Sequence, residues 1–293
     1  MFPIRDLNPS RRAALVTILL IVANVVVWVA YQPHDDVADE TAFLYQRAAV
    51  ACEITTRTPI TRAALSAGTC TPARSAPVFP GKSIALSIVV SMFLHGGLLH
   101  LAGNMWFLWL FGDNVEEAFG HLGYLLLYLL AGIGATLGFA LLHPTSVEPL
   151  IGASGAIAGI LGAYAVLFPR GWVLALWFLG ILPVPAILFL GLWFLGQFSV
   201  ATPGVAWEAH VVGFVLGTSV ALLLRGRLLA DLRAPTRTYW GWNANSAKKI
   251  TVPTLLMVGE QDDLMRSNLD LFEDLGAKDK AFLSIACATH FAL

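Results

Sequence analysis

IGASGAIAGILGAYAVLF, residues 151–168, is an unbroken run of apolar and small residues whose one aliphatic hydroxyl is Ser154. Its length is close to the ~20 residues that a helix needs to cross the hydrocarbon core of a bilayer. Ser154, Gly155, Ala158, Gly159 and Gly162 make a smooth stripe at helical spacing, the kind of face that lets helix backbones approach closely in lipid. A later apolar segment, from about Val205 to Leu224, carries His210, Gly213 and Gly217 at i, i+3 and i+7, again on one helix face. Serine is a poor nucleophile until a base takes its proton, and histidine is the usual base. Ionisable groups inside a membrane are costly and usually functional. Packing the two small-residue faces together would bring Ser154 toward His210. A serine hydrolase built within a bilayer is therefore the first expectation.

Composition agrees with a membrane protein. Of 293 residues 57% are hydrophobic and only 13% charged, with a mean hydropathy of +0.71. Soluble domains carry about 25% charged residues, so roughly half the usual charge is missing. A net charge of -1 gives no sign of a nucleic-acid partner. Nine Trp and 26 Gly suit a helical bundle in lipid, where Trp sits at interfaces and Gly permits close packing.

Working outward, the apolar runs divide the chain into six expected spans. The first, Ala13 to Tyr31, follows Arg5, Arg11 and Arg12; its apolar core is too long for a cleaved signal peptide, so it reads as a signal anchor. A polar, proline-containing loop occupies residues 32–82. Apolar character resumes at Ser83, first as a membrane-dipping segment broken at Gly96-Gly97, then as a second span from about Leu98. The third runs from Leu122 to Leu142, the fourth from Ile151 to Phe168, the fifth from Trp172 to Phe198 and the sixth from Val205 to Leu224. Residues 1–12 form a cytoplasmic N-terminus, 13–225 the membrane domain with its outer loop, and 226–293 a cytoplasmic tail. Arg170, Arg225, Arg227 and Arg233 then also fall inside, as the positive-inside rule favours. The expected setting is multi-pass and integral, in a bacterial inner membrane with a cytoplasmic N-terminus.

Parity puts the N-terminal ends of spans two, four and six on one side of the bilayer. His100 and Asn104, Ser154, and His210 each lie within about the first two turns of those helices, at one depth. Acyl transfer needs donors aimed at the developing oxyanion. His100 and Asn104, four apart on one face, offer a ring N–H and an amide, and the Ser154 backbone N–H a third. His95 reads as part of a polar cluster between helices.

These residues resemble the rhomboid family of intramembrane serine proteases. The likeness is carried by Phe93-Leu94-His95, the His100-x-x-x-Asn104 pair, Phe111-Gly112-Asp113-Asn114-Val115-Glu116 with Gly120, Gly152-Ala153-Ser154-Gly155, and Ala209-His210-x-x-Gly213-x-x-x-Gly217. The resemblance implies a six-transmembrane-helix rhomboid-like bundle, all-α apart from a short α/β-like C-terminal tail. It implies a serine endopeptidase with a Ser154–His210 dyad and no third acid, an oxyanion site at His100 and Asn104, and no cofactor or metal. Substrates would be transmembrane proteins cut in or near their membrane segments, and Glu116 a structural tie at the inner end of the second helix. Two departures stand out: Ala158 replaces an aromatic residue that stacks on the histidine in some relatives, and the first outer loop has no Trp-Arg pair. A catalytically inactive rhomboid-like membrane-protein binder is the alternative. A transporter would call for more ionisable residues along a path.

The tail tells a different story. Thr251 to Asp262 reads as a short strand and turn, Leu264 to Leu275 as a helix, and Ala281 to Ala286 as another strand before His290. This resembles the C-terminal end of an α/β-hydrolase, with Asp262 and His290 at its acid and base. The tail is too short for that fold, and no strand-turn-helix Gly-x-Ser-x-Gly segment occurs upstream of it. It reads as a truncated or fused remnant, with a regulatory appendage as the other possibility. Cys52 and Cys70 share the outer loop, where an oxidising compartment would favour a disulfide; two unpaired thiols are the alternative.

Overall fold

The computed structural model describes residues 2–10, 12–70, 75–177, 180–198, 205–233, 251, 254–259, 272, 278 and 280–285. The described chain is mostly helical and falls into two compact units, Met1–Leu229 and Ala230–Leu293. The described helices are α1 Leu15–Ala30, α2 Val37–Arg47, α3 Ala51–Thr56, α4 Arg62–Ala67, α5 Ile84–Val90, α6 Leu98–Leu142, α7 Ser154–Leu167, α8 Ala186–Gln197 and α9 Trp207–Arg233. Strands β1 Phe2–Asp6, β4 Trp172–Trp177 and β5 Gly180–Pro185 form one antiparallel sheet, and β2 Ala49–Val50 pairs with β3 Pro149–Leu150. Among the described residues, two helices, Leu98–Leu142 and Trp207–Leu229, are long and apolar enough to cross a membrane; α1, α7, α8 and Ile84–Phe93 are shorter apolar helices.

α6 holds two of the expected spans. As a straight rod its 45 residues would reach ~68 Å at ~1.5 Å per residue. Yet His100 near its start and His143 just past its end line one cavity. The chain folds back at Gly120, whose φ of 70° and ψ of 163° suit a residue without a Cβ. At that turn Glu116 fastens α6 to the start of α1: its carboxylate accepts from the Val16 and Thr17 amides, both at 2.8 Å, and from Thr17 Oγ1 at 2.7 Å. An anion at these unpaired N-terminal amides is the favoured arrangement.

α7 lies at the centre, with every residue from Gly155 to Tyr164 buried. That is why its sequence is apolar or small on all sides. One arm of α6 meets it at Ala131 and Ala135, which occupy the space a side chain at Gly159 or Gly155 would need. On another side α9 comes so close that a Cβ at Gly213 would overlap the Gly155 carbonyl, and one at Gly217 the Gly159 carbonyl. The small-residue stripes read from the sequence are the actual contact.

The expected fifth span, Trp172 to Phe198, is not one helix. Its first half is the β4–β5 hairpin, in register from Trp172↔Pro185 to Trp177↔Gly180, and only Ala186–Gln197 is helical. Pro183 and Pro185 explain the difference. Proline removes a hydrogen bond from a helix interior but is tolerated on an edge strand, and β5 is an edge in the order β1-β4-β5. Residues 2–6, expected only as a terminus, supply the other edge. Asp6 at the end of β1 accepts from Asn114 Nδ2 and Tyr164 Oη, each at 2.8 Å; burial pushes its carboxyl up to about 6.

The loop over residues 32–82 is a small folded layer whose core of Val50, Cys52, Ile60 and Ala64 is completed by Val147 from the segment after α6. Cys52 and Cys70 are joined in a disulfide, with Cα atoms 5.5 Å apart. Glu53 is fully buried, accepts from the Ile60 amide at 2.9 Å and pairs with the equally buried Lys82. Burial pulls the Lys82 ammonium below the usual lysine range against the pull of Glu53. Removing one partner of a buried pair strands the other charge, at about 3–5 kcal/mol. Lys82→Met is thus expected to lower the thermal midpoint of the protein markedly, whereas Lys82→Met with Glu53→Gln recovers much of the loss. Equal melting of the single and double variants would show that the pair is worth little.

In the second unit, β6 Thr254–Gly259 and β7 Lys280–Ile285 pair in parallel, from Thr254↔Lys280 to Gly259↔Ile285. These are the two stretches read as strands. Asp262, His290 and almost all of the expected helix Leu264 to Leu275 lie outside the described residues.

Candidate active site

The turn before α7 is built for close approach. Gly152 has φ +116°, in the region that favours glycine, and a Cβ there would lie 2.8 Å from His100 Nε2. Its amide donates to the Ser91 carbonyl at 2.9 Å. The Ser91 hydroxyl in turn accepts from the Ala49 amide at 2.6 Å, and Ala49 pairs with Leu150. The outer-loop layer, the turn Ser91–Phe93 and the Gly152-Ala153-Ser154-Gly155 segment are thereby held together. Ser154 is the first residue of α7, so its backbone N–H is among the amides that lack a partner inside the helix.

Ser154 Oγ lies 2.7 Å from His210 Nε2. α7 brings the serine and α9 the histidine, and the glycine contacts just below set their separation. Both face a cavity of about 1090 Å³ that is also lined by His100, Asn104, Trp193 and Glu208. The four residues expected from the sequence thus meet at one place.

Hydrogen bonding favours one tautomer of His100. The Gly96 amide approaches its Nδ1 at 3.3 Å and can only donate, so Nδ1 accepts and the ring proton sits on Nε2. That N–H faces Gly152 and the serine turn. Asn104 is buried, and its Nδ2 donates to the His100 carbonyl at 3.1 Å, which leaves one amide hydrogen uncommitted. His95 lies behind, fully buried and edge-on to His100 with ring centroids 5.2 Å apart. Its backbone exchanges two hydrogen bonds with the Gln32 side chain. It packs the site and does not face Ser154.

Three features escaped the sequence reading. His210 Nδ1 is 2.8 Å from Gln197 Oε1. The Trp193 ring lies 6.3 Å from the His210 ring. His143 Nε2 reaches Glu208 at 2.8 Å, linking the end of α6 to the first turn of α9 beside the cavity. Gln197 ends an apolar helix, where a polar residue reads as a boundary. Ala158 is fully buried and small, and the α8 side chains of Trp193 and Gln197 are the ones that lie beside the His210 ring.

Comparison with known proteins identifies the family. Residues 83–227 match the family described as Rhomboid domain. The chain is 34% identical over 146 residues to Rhomboid protein 1, mitochondrial, of Saccharomyces cerevisiae, covering 45% of this chain and 40% of the yeast protein. It is 40% identical over 84 residues to Rhomboid-like protein 11, chloroplastic, of Arabidopsis thaliana, 29% of each chain. Over 76 residues it is 42% identical to Rhomboid protease GluP of Bacillus subtilis, 26% of this chain and 14% of that one. The chain therefore spans well under half the length of these relatives. Their names point to mitochondria, chloroplasts and a bacterium, and give the bacterial inner membrane no special support. The segment that holds Ser154, His210, His100 and Asn104 is a rhomboid domain, and this integral membrane protein belongs to the rhomboid family.

Proposed function

We propose that the chain is an intramembrane serine endopeptidase that cuts transmembrane proteins with a Ser154–His210 dyad. The observation that carries this reading is the 2.7 Å contact between Ser154 Oγ and His210 Nε2 at the edge of a cavity. His210 Nε2 takes the proton as Ser154 Oγ attacks the scissile carbonyl, and returns it to the leaving amine. His100 Nε2–H, the second Asn104 amide hydrogen and the Ser154 backbone N–H stabilise the oxyanion. No metal or cofactor takes part. The relative from Bacillus subtilis is named as a protease, which favours this reading over an inactive membrane-protein binder.

The membrane domain is read as six spans: α1, the two arms of α6, α7, α8 and α9, with β4–β5 preceding the fifth. Positively charged flanks favour a cytoplasmic N-terminus. The Cys52–Cys70 disulfide supports an oxidising compartment for the loop at residues 32–82. With that orientation the tail at residues 226–293 is cytoplasmic. Protein ending near Leu232 keeps its activity on this view.

A fluorophosphonate serine probe tests the dyad. Labelling at Ser154 that disappears in His210→Ala is the expected result; no labelling of a folded wild-type protein would favour the binder. Asn104→Ala is expected to slow single-turnover cleavage by about 10²–10³, the usual effect of one lost oxyanion donor. Cleavage at the wild-type rate would leave Asn104 as a packing residue only.

A further inference from the structure

We infer that Gln197 is the third member of the hydrogen-bonded chain, a neutral positioning residue that holds His210 in the tautomer able to accept the Ser154 proton. The inference rests on reading Ser154 and His210 as a catalytic dyad.

If Ser154 O–H donates to His210 Nε2 across 2.7 Å, Nε2 carries no proton, and the ring proton is on Nδ1. That N–H needs an acceptor in an apolar setting, since a buried donor without one is costly. Gln197 Oε1 stands 2.8 Å from it. The orientation of the Gln197 amide is not arbitrary. Its Nε2 lies 3.1 Å from the Trp193 carbonyl oxygen, which can only accept, so nitrogen points to Trp193 and oxygen to His210. Donors and acceptors alternate without conflict from Ser154 through His210 and Gln197 to the backbone of α8.

This arrangement suits a membrane site. A carboxylate beside His210 would have to be kept ionised among apolar side chains, which is expensive. A glutamine carbonyl offers a dipole to the imidazolium that forms during proton transfer without burying a permanent charge. The wrong tautomer cannot act as base at all. Gln197 touches no substrate atom in this scheme and works only through His210.

The test compares Gln197→Leu and Gln197→Glu in the full-length protein on one membrane-anchored substrate. Gln197→Leu is expected to lower kcat by about 10–100-fold, the scale of one hydrogen bond to a charged group, with KM unchanged. Gln197→Glu, held neutral in this apolar setting, keeps a carbonyl oxygen for His210 and an O–H for the Trp193 carbonyl and should recover most of that loss, while a variant damaged only in packing would not be rescued. Ring ¹⁵N signals of His210, assigned by their loss in His210→Ala, give a readout that needs no activity. The wild type should show the Nδ1-protonated form, and Gln197→Leu a mixture. Wild-type kcat in Gln197→Leu, or an unchanged tautomer, would overturn the role of Gln197 while leaving the dyad standing. Cleavage that persists in Ser154→Ala would instead overturn the protease reading, whatever the tautomer shows.

Discussion

Ser154→Ala is expected to lower cleavage on the order of 10⁶-fold, the usual scale for deleting a serine nucleophile, with no loss of stability. Among the described residues, His210 is the hydroxyl's one hydrogen-bond partner. Ala153, not Ser154, is the N-cap of α7, and no side chain caps that end. Removing one oxygen from the cavity wall takes the partner from His210 Nε2, but His210 lines the cavity, where water can replace it, and its Nδ1 keeps Gln197. The measurement is cleavage of a membrane-anchored substrate by purified wild-type and mutant protein, beside their thermal unfolding curves. A mutant that melts like wild type and cleaves like wild type would sink the serine mechanism. A mutant that fails to insert would point to a structural duty for Ser154 that no hydrogen bond here suggests.

Gly213→Ala is the second large effect, and it acts without touching any reacting group. Gly213 lies three residues after His210, and a Cβ there would overlap the Gly155 carbonyl, one residue after Ser154. The obstacle is backbone, so no side chain can rotate away, and α9 must move off α7. Dyad and contact share the same turn of each helix, so the Ser154–His210 distance grows with the shift. A displacement of about 1 Å costs on the order of 10²-fold in rate. The expected outcome is a loss of at least that size, together with weakened serine-probe labelling. Gly226→Ala is the control: it lies on the same helix, and a Cβ there meets nothing within 4 Å. Equal activity of the two variants would mean that α7 and α9 do not meet at these glycines.

Much of the site could be read before any coordinates. The two small-residue stripes, one carrying Ser154 and the other His210, imply each other, because helices pack closely in lipid only where side chains are small. On the six-span reading, helix parity also puts His100 and Asn104 at the same depth. Glu116 was legible as a tie at the turn of α6, though not that it fastens the first turn of α1. The β4–β5 hairpin was missed because hydropathy does not separate a buried strand from a helix, although Pro183 and Pro185 were there to be weighed.

The sequence by itself determined a membrane protein with a serine and a histidine on facing helices, since apolar run lengths, small-residue periodicity and parity are properties of one chain and one solvent. Tertiary structure alone decided how the histidine is held. Gln197 is 13 residues from His210 in sequence, on a different helix, and no periodicity links the two. Only the packing of α8 against α9 turns a polar residue at a helix end into the acceptor for His210 Nδ1. The tautomers follow the same rule. Whether His100 can donate and His210 can accept depends on which backbone and amide groups surround each ring, and such neighbours exist only once the helices are assembled.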